Sequence, residues 1–156
     1  MSSWIVEHLK PCIEVWHGNK GDTPEPAKPE NLKLLSDKFG SIPKDYLDIM
    51  QFSNFPTFHC DAELPSTEVG LYIEFLPPLD VVDWDEWYPF LQSEMPGCFF
   101  FATDGGPTIF FLGDFVEKPG VWQVPRGTMV WKMAEFVAPS IRALLCEGVG
   151  WDKLDG

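Results

Sequence analysis

Two apolar runs close around one small polar tip in the middle of this chain. Phe99-Phe100-Phe101-Ala102 and Ile109-Phe110-Phe111-Leu112 flank Thr103-Asp104-Gly105-Gly106-Pro107-Thr108. A phosphate cradle would need glycines that lead into a helix, whose first amides point at the anion. Here the glycines lead into a β-branched and aromatic run, which predicts a strand, so the cradle reading fails. Asp-Gly and Gly-Gly supply the positive φ angles of a tight turn. Pro107 is tolerated at a strand start, where its missing N–H breaks no ladder. Unbroken apolarity on both arms predicts central strands covered on two faces, or on one face by helices and on the other by a loop or partner.

The remaining elements arrange themselves around that hairpin. Residues 1–20 carry no clear period, and Gly21 to Glu30 hold three prolines in ten residues, which favours extended chain. The reading is an N-terminal arm and linker over 1–30, with Trp4, Ile5, Leu9 and Trp16 docked back on the body. Leu32, Leu35 and Phe39 share a helical face, and Gly40 stands at the C-terminal cap position. A second helix starts at Ser41-Ile42-Pro43, with Asp45 near its positive end; Tyr46, Ile49 and Met50 form its apolar face. Residues 55–68 read as a loop. Val69, Leu71, Ile73 and Phe75 alternate as one buried strand face. Leu79 to Leu91 fits either a short helix or an acidic loop. Val121–Val124 and Thr128–Lys132 read as a hairpin across Pro125-Arg126-Gly127. A last helix begins near Pro139, uses Ile141, Leu144 and Leu145 as its apolar face, and closes at Gly148. Strands follow one another without alternating helices, so the expected class is α+β: a single domain (31–150) with a largely antiparallel twisted sheet flanked by helices, and a short tail at 151–156.

Length and composition agree with one soluble domain. The chain has 156 residues, including 13 Phe and 7 Trp, enough for a real core. No apolar run reaches the roughly 20 residues needed to cross a bilayer, and Met1–Gly18 lacks a basic leader, so the expected location is cytoplasmic. Cys12, Cys60, Cys98 and Cys146 form no CxxC pair and are expected as free, buried small hydrophobes. Lys and Arg number 11 against 24 Asp and Glu, a net charge of −13 with His neutral. That field repels phosphate backbones, disfavours direct nucleic-acid binding, and speeds encounter with a basic partner.

The candidate chemistries are thin. His59-Cys60-Asp61 places three metal-ligating types side by side, where neighbours do not converge on one ion, and His8, His17 and Cys12 would join them only by the accident of folding. Asp80, Asp83, Asp85 and Glu86 invite a metal-dependent or acid–base reading, but no Lys or His stands in that stretch to serve a phosphate or nucleophile. No Ser/His/Asp or Cys/His set assembles by spacing, and Asp104 stands where the Gly-Asp-Ser-Gly-Gly-Pro string of chymotrypsin-like proteases carries its nucleophile. No catalytic residue, metal or cofactor is therefore expected. The blander reading of the acidic stretch has solvated acids, with Trp84 and Trp87 packed inward at helical spacing. The sharper reading makes Asp80, Asp83, Trp84, Asp85, Glu86 and Trp87 a partner-binding surface, because Trp anchors interfaces and carboxylates pair with Arg and Lys.

Three stretches together resemble the SUKH superfamily, from about Leu32 to Leu145. Ile42-Pro43-Lys44-Asp45-Tyr46-Leu47-Asp48-Ile49-Met50 is similar to that family's second helix. Phe101 to Leu112, with Asp104, Gly105 and Gly106, occupies the place of its glycine-bearing hairpin. Val137-Ala138-Pro139-Ser140-Ile141-Arg142-Ala143-Leu144-Leu145 is similar to its closing helix. The arm 1–30 lies outside the match. The resemblance implies a non-catalytic α+β protein-binding domain. Many relatives are immunity proteins that neutralise a cognate toxin, often a basic nuclease; a regulatory or scaffold role on the same fold is the alternative. The resemblance leaves monomer and dimer both open.

Overall fold

The structure is a computed structural model that describes residues 4–17, 23–60 and 70–154. In chain order it runs α1 (Trp4–Glu7), β1 (Glu14–His17), α2 (Pro29–Phe39), α3 (Lys44–Phe52), β2 (Pro56–Cys60), β3 (Leu71–Phe75), α4 (Pro78–Trp87), α5 (Leu91–Glu94), β4 (Phe99–Thr103), β5 (Thr108–Phe115), β6 (Lys118–Pro125), β7 (Glu135–Ala138) and α6 (Ile141–Glu147). Single 3-10 turns stand at Trp131–Met133 and Trp151–Lys153. The seven strands form one sheet whose spatial order is their chain order, every pair antiparallel. This is the single-domain α+β architecture expected, with the hairpin β4–β5 inside the sheet.

Alternate residues of the central strands supply two separate cores, because successive side chains leave a strand on opposite faces. Phe99, Phe101 and Phe110 join Phe58, Phe75, Tyr46 and Leu144 in the larger core, under α1, α2, α3 and α6. Phe100, Ile109, Phe111, Trp122 and Val124 fill the second, closed by Trp84, Leu91, Met95 and Met129. The hairpin is thus covered on both faces, by helices on one and by the α4–α5 segment and residue 129 on the other.

Local chemistry explains most boundaries. Gly40 ends α2 at φ 84°, a conformation that L side chains rarely adopt. Ser140 caps α6 by accepting from the Ala143 amide at 3.0 Å, so the cap is the serine beside Pro139 and not the proline itself. Asp45, in the first turn of α3, also reaches the start of α6, where its carboxylate accepts from the Arg142 amide at 3.0 Å. Tyr46 is fully buried and donates to the Leu76 carbonyl at 2.7 Å, joining α3 to the end of β3.

Several expectations are corrected. Residues 56–60 form β2, not a loop: Thr57 and Phe58 are buried and pair with β1 and β3. The loop expected to continue to 68 lies, from 61 on, outside the described residues, as does Val69. The second arm of the expected 121–132 hairpin is Glu135–Ala138; Thr128–Val130 is irregular, and Trp131–Met133 is a 3-10 turn. The tight turn is instead Val116-Glu117, between β5 and β6.

The N-terminal residues are part of the fold. Trp4 and Ile5 are core residues, β1 is an edge strand of the sheet, and the Lys10 amide donates to the Leu145 carbonyl at 3.1 Å. Residues 23–28 are fastened to α3, with Ala27 N donating to Met50 O and Asn54 N to Glu25 O, both at 2.8 Å. At the other end Trp151 is buried and donates through Nε1 to Leu144 O at 2.7 Å, so the segment begun as a tail closes the core. Cys12 and Cys60, expected free, form a disulfide with Cα atoms 5.5 Å apart. Spacing along the chain hid that pairing, because β1 and β2 become neighbours only in the sheet.

Candidate protein-binding face

The segment between β3 and β4 opens with Pro77-Pro78, and Pro78 is suited to the first helical turn because its missing N–H would be unpaired there anyway. The open question over 79–91 resolves as helix α4 up to Trp87, a break at Tyr88-Pro89-Phe90, and the short α5. Pro89 forces the break, since the residue before a proline is pushed out of helical conformation.

Val81 and Trp84 face inward, whereas Trp87 is 55% exposed. This corrects the blander reading, which packed both tryptophans inward. At about 100° per residue, each step of three turns the side chain back by roughly 60°. Two steps from Val81 carry Trp87 off the buried face. Trp87 meets Trp84 edge-on at 6.0 Å, Trp84 meets Tyr88 at 5.0 Å, and Tyr88 meets Phe90 at 6.3 Å. Phe90, which sequence reasoning missed, is 44% exposed. The proline before it was the available signal, because a ring just past a helix stop has no helical face to follow inward.

The acids fall into different environments. Asp80 is half-buried in the first turn of α4, and burial, with the nearby Asp83 carboxylate, pushes its pKa up. Asp85 is engaged inside the molecule: Lys38 Nζ donates to its Oδ1 and to the Val82 carbonyl, and Gln92 Nε2 donates to its Oδ2 at 3.2 Å. Partial burial opposes its charge, but these hydrogen bonds and the ammonium's field hold its pKa below the ordinary aspartate range. Asp83 is half-buried and Glu86 exposed. Of the six candidates, Glu86 and Trp87 are thus presented outward, Asp80 and Asp83 in part, while Trp84 and Asp85 hold α4 in place.

The hairpin tip is built for shape. Asp104 Oδ1 accepts from Gly106 N at 2.8 Å and Thr108 N at 3.1 Å, and Thr103 Oγ1 accepts from Gly105 N at 3.0 Å. Gly105 sits at φ 81°, and a Cβ there would lie 3.0 Å from the Tyr72 ring. Pro43 is the residue just before α3, and Ala138 is fully buried at the end of β7. These family-like positions are turn, cap and packing residues.

The metal candidates are not brought together as a set. Cys12 and Cys60 are bonded to each other, His59 lies between the rings of Trp16 and Tyr72, and Asp61 is outside the described residues. Among the described residues no group of three or more His, Cys, Asp or Glu is placed to hold a metal ion. Burial pushes the Cys98 thiol up to about 12, so it stays protonated at neutral pH. No helix of the described residues is long and apolar enough to cross a membrane. No protein-family model matches this chain, and no curated protein matches it.

Proposed function

We propose that this chain is a non-catalytic protein-binding domain of the immunity type, which captures and neutralises a basic, nuclease-like toxin domain through the outer side of α4 and the turn after it. One observation carries the reading: in a chain of net charge −13, Trp87 and Phe90 stand exposed on a segment that carries Asp83, Glu86 and Glu94 and no cation. Exposed aromatics on a segment of one charge sign combine an anchor with steering. The SUKH-like order of the second helix, the hairpin and the closing helix supports it, as does the structural use of those motifs here. A regulatory or scaffold domain with a different basic partner shares the same face.

The location proposed is the cytoplasm, where a toxin entering the cell would be met. The Cys12–Cys60 bond weighs on the other side, since such bonds persist in oxidising compartments. Alkylation of the chain in intact cells decides between them: blocked thiols at both positions fit the cytoplasm, an intact disulfide does not.

The decisive experiment is growth rescue. The polypeptide encoded beside this chain's gene is expressed in a sensitive host, with and without the chain, and the complex is isolated. Rescue with a stable complex supports immunity; binding without toxicity moves the reading to regulation. Trp87→Ala and Glu86→Lys should each weaken the complex roughly tenfold or more while leaving thermal stability unchanged. Added salt should slow association far more than it speeds release.

A further inference from the structure

Beside the exposed rings, the structure contains a cleft of about 70 Å³ between α2, α4, α5 and the start of β4. By the same measure one water needs about 10–15 Å³, so the space takes roughly five waters, or the bulk of one large apolar side chain. Its walls are apolar, formed by Phe39, Trp84, Leu91, Met95 and Phe100. Its polar lining is Lys38, Asp85 and Gln92, the three residues joined across it by hydrogen bonds from α2 and α5 to the Asp85 carboxylate.

Trp84 carries the second observation. It is 6% exposed and lines the cleft, and its indole N–H is buried with no hydrogen-bond partner among the described residues. A buried donor left unpaired is destabilising, and such groups in native proteins call for a partner. An apolar cleft with a few polar groups at its rim is the arrangement of a site that receives an apolar side chain.

We propose that this cleft is an anchor pocket for a basic polypeptide: one large apolar side chain enters it, and flanking Lys or Arg residues meet Asp83, Glu86 and Glu94. The proposal rests on the protein-binding reading and specifies how the partner is held. Charge selects the flanks, because the acids on α4 and α5 stand on the same two helices as the Asp85 and Gln92 of the cleft. The pocket selects the anchor. Lys38, neutralised by Asp85, does not oppose a cationic segment.

Selection from a displayed library of short random peptides against the full chain tests this. The expected winners carry a Leu-, Met- or Phe-sized residue with Lys or Arg a few positions away. Two variants then separate pocket from surface. Gln92→Trp covers the mouth from an exposed position, and Cys98→Met fills the cleft from its wall. Each should weaken the selected peptides roughly tenfold or more, with melting temperature checked for both. Binding should also quench or shift the emission of Trp84, read as the difference between the parent chain and Trp84→Phe. If basic peptides are selected but bind both variants as tightly as the parent, while Asp83→Lys with Glu86→Lys abolishes binding, the anchor pocket is wrong and the acidic face stands. If no basic peptide is enriched, the anchor pocket is wrong, and growth rescue by itself decides the protein-binding reading.

Discussion

Single residues in this chain do most of their work by joining elements that lie far apart in sequence. Tyr46 is the clearest case. Its ring is fully buried against Phe75 and Phe99, and its hydroxyl donates to Leu76 O. Tyr46→Phe keeps the ring and strands that carbonyl, so urea unfolding should show a loss of about 1–2 kcal/mol. Lys38 and Asp85 join α2 to α4, and here pH gives the test. The Asp85 pKa is held below the ordinary range, so its ionised form is favoured in the fold. The resulting stability is present above the unfolded-state pKa and is lost as pH falls through the lowered, folded-state one. Lys38→Met should therefore be less stable than the parent by about 1 kcal/mol near neutral pH. The gap should narrow on acidification, as both proteins carry a protonated Asp85, to the part owed to the Val82 carbonyl that Lys38 also serves; a gap that does not narrow in acid would remove the ion pair from the explanation.

At the scale of elements, β5 and β6 are joined by a two-residue turn whose residues contradict its backbone. Val116 and Glu117 hold φ 49° and 58°, with Phe115 paired to Lys118. Positive φ at both central positions is the geometry of the hairpin turn that favours Asn-Gly, and a left-handed L residue costs roughly 1–2 kcal/mol. Val116→Asn with Glu117→Gly should raise stability by about 1 kcal/mol or more, seen as a higher melting temperature. The same conflict explains why this turn was illegible in the sequence: Val-Glu reads as strand, whereas Asp104-Gly105-Gly106 announced its turn openly. α4 shows the converse. Its acidic and apolar residues give no decisive helical face, and it became a helix because Pro78 starts it, Pro89 stops it, and Val81 and Trp84 meet two different cores.

At the scale of the molecule, the Cys12–Cys60 bond spans a sequence separation of 48 and fastens the residues before β1 to β2. Closing a loop of that length in the unfolded chain is worth up to about 4 kcal/mol. Cys12→Ser should lower stability by less than that, because the sheet pairing of β1 and the burial of Trp4 and Ile5 survive; hydrogen exchange should rise first in β1. By itself, the sequence determined the class of fold, the central hairpin, the two helices between β1 and β2 and the closing helix, because each rests on contacts within a few residues: a glycine cap, a Ser cap, a three-and-four spacing, an alternation. It also determined the sign of the field. Only the tertiary structure decided that Glu14–His17 belong to the sheet, that Cys12 meets Cys60, that Trp84 turns in while Trp87 turns out, and that Asp85 is engaged by Lys38. Those outcomes depend on which elements become neighbours, and burial, not local propensity, selects that.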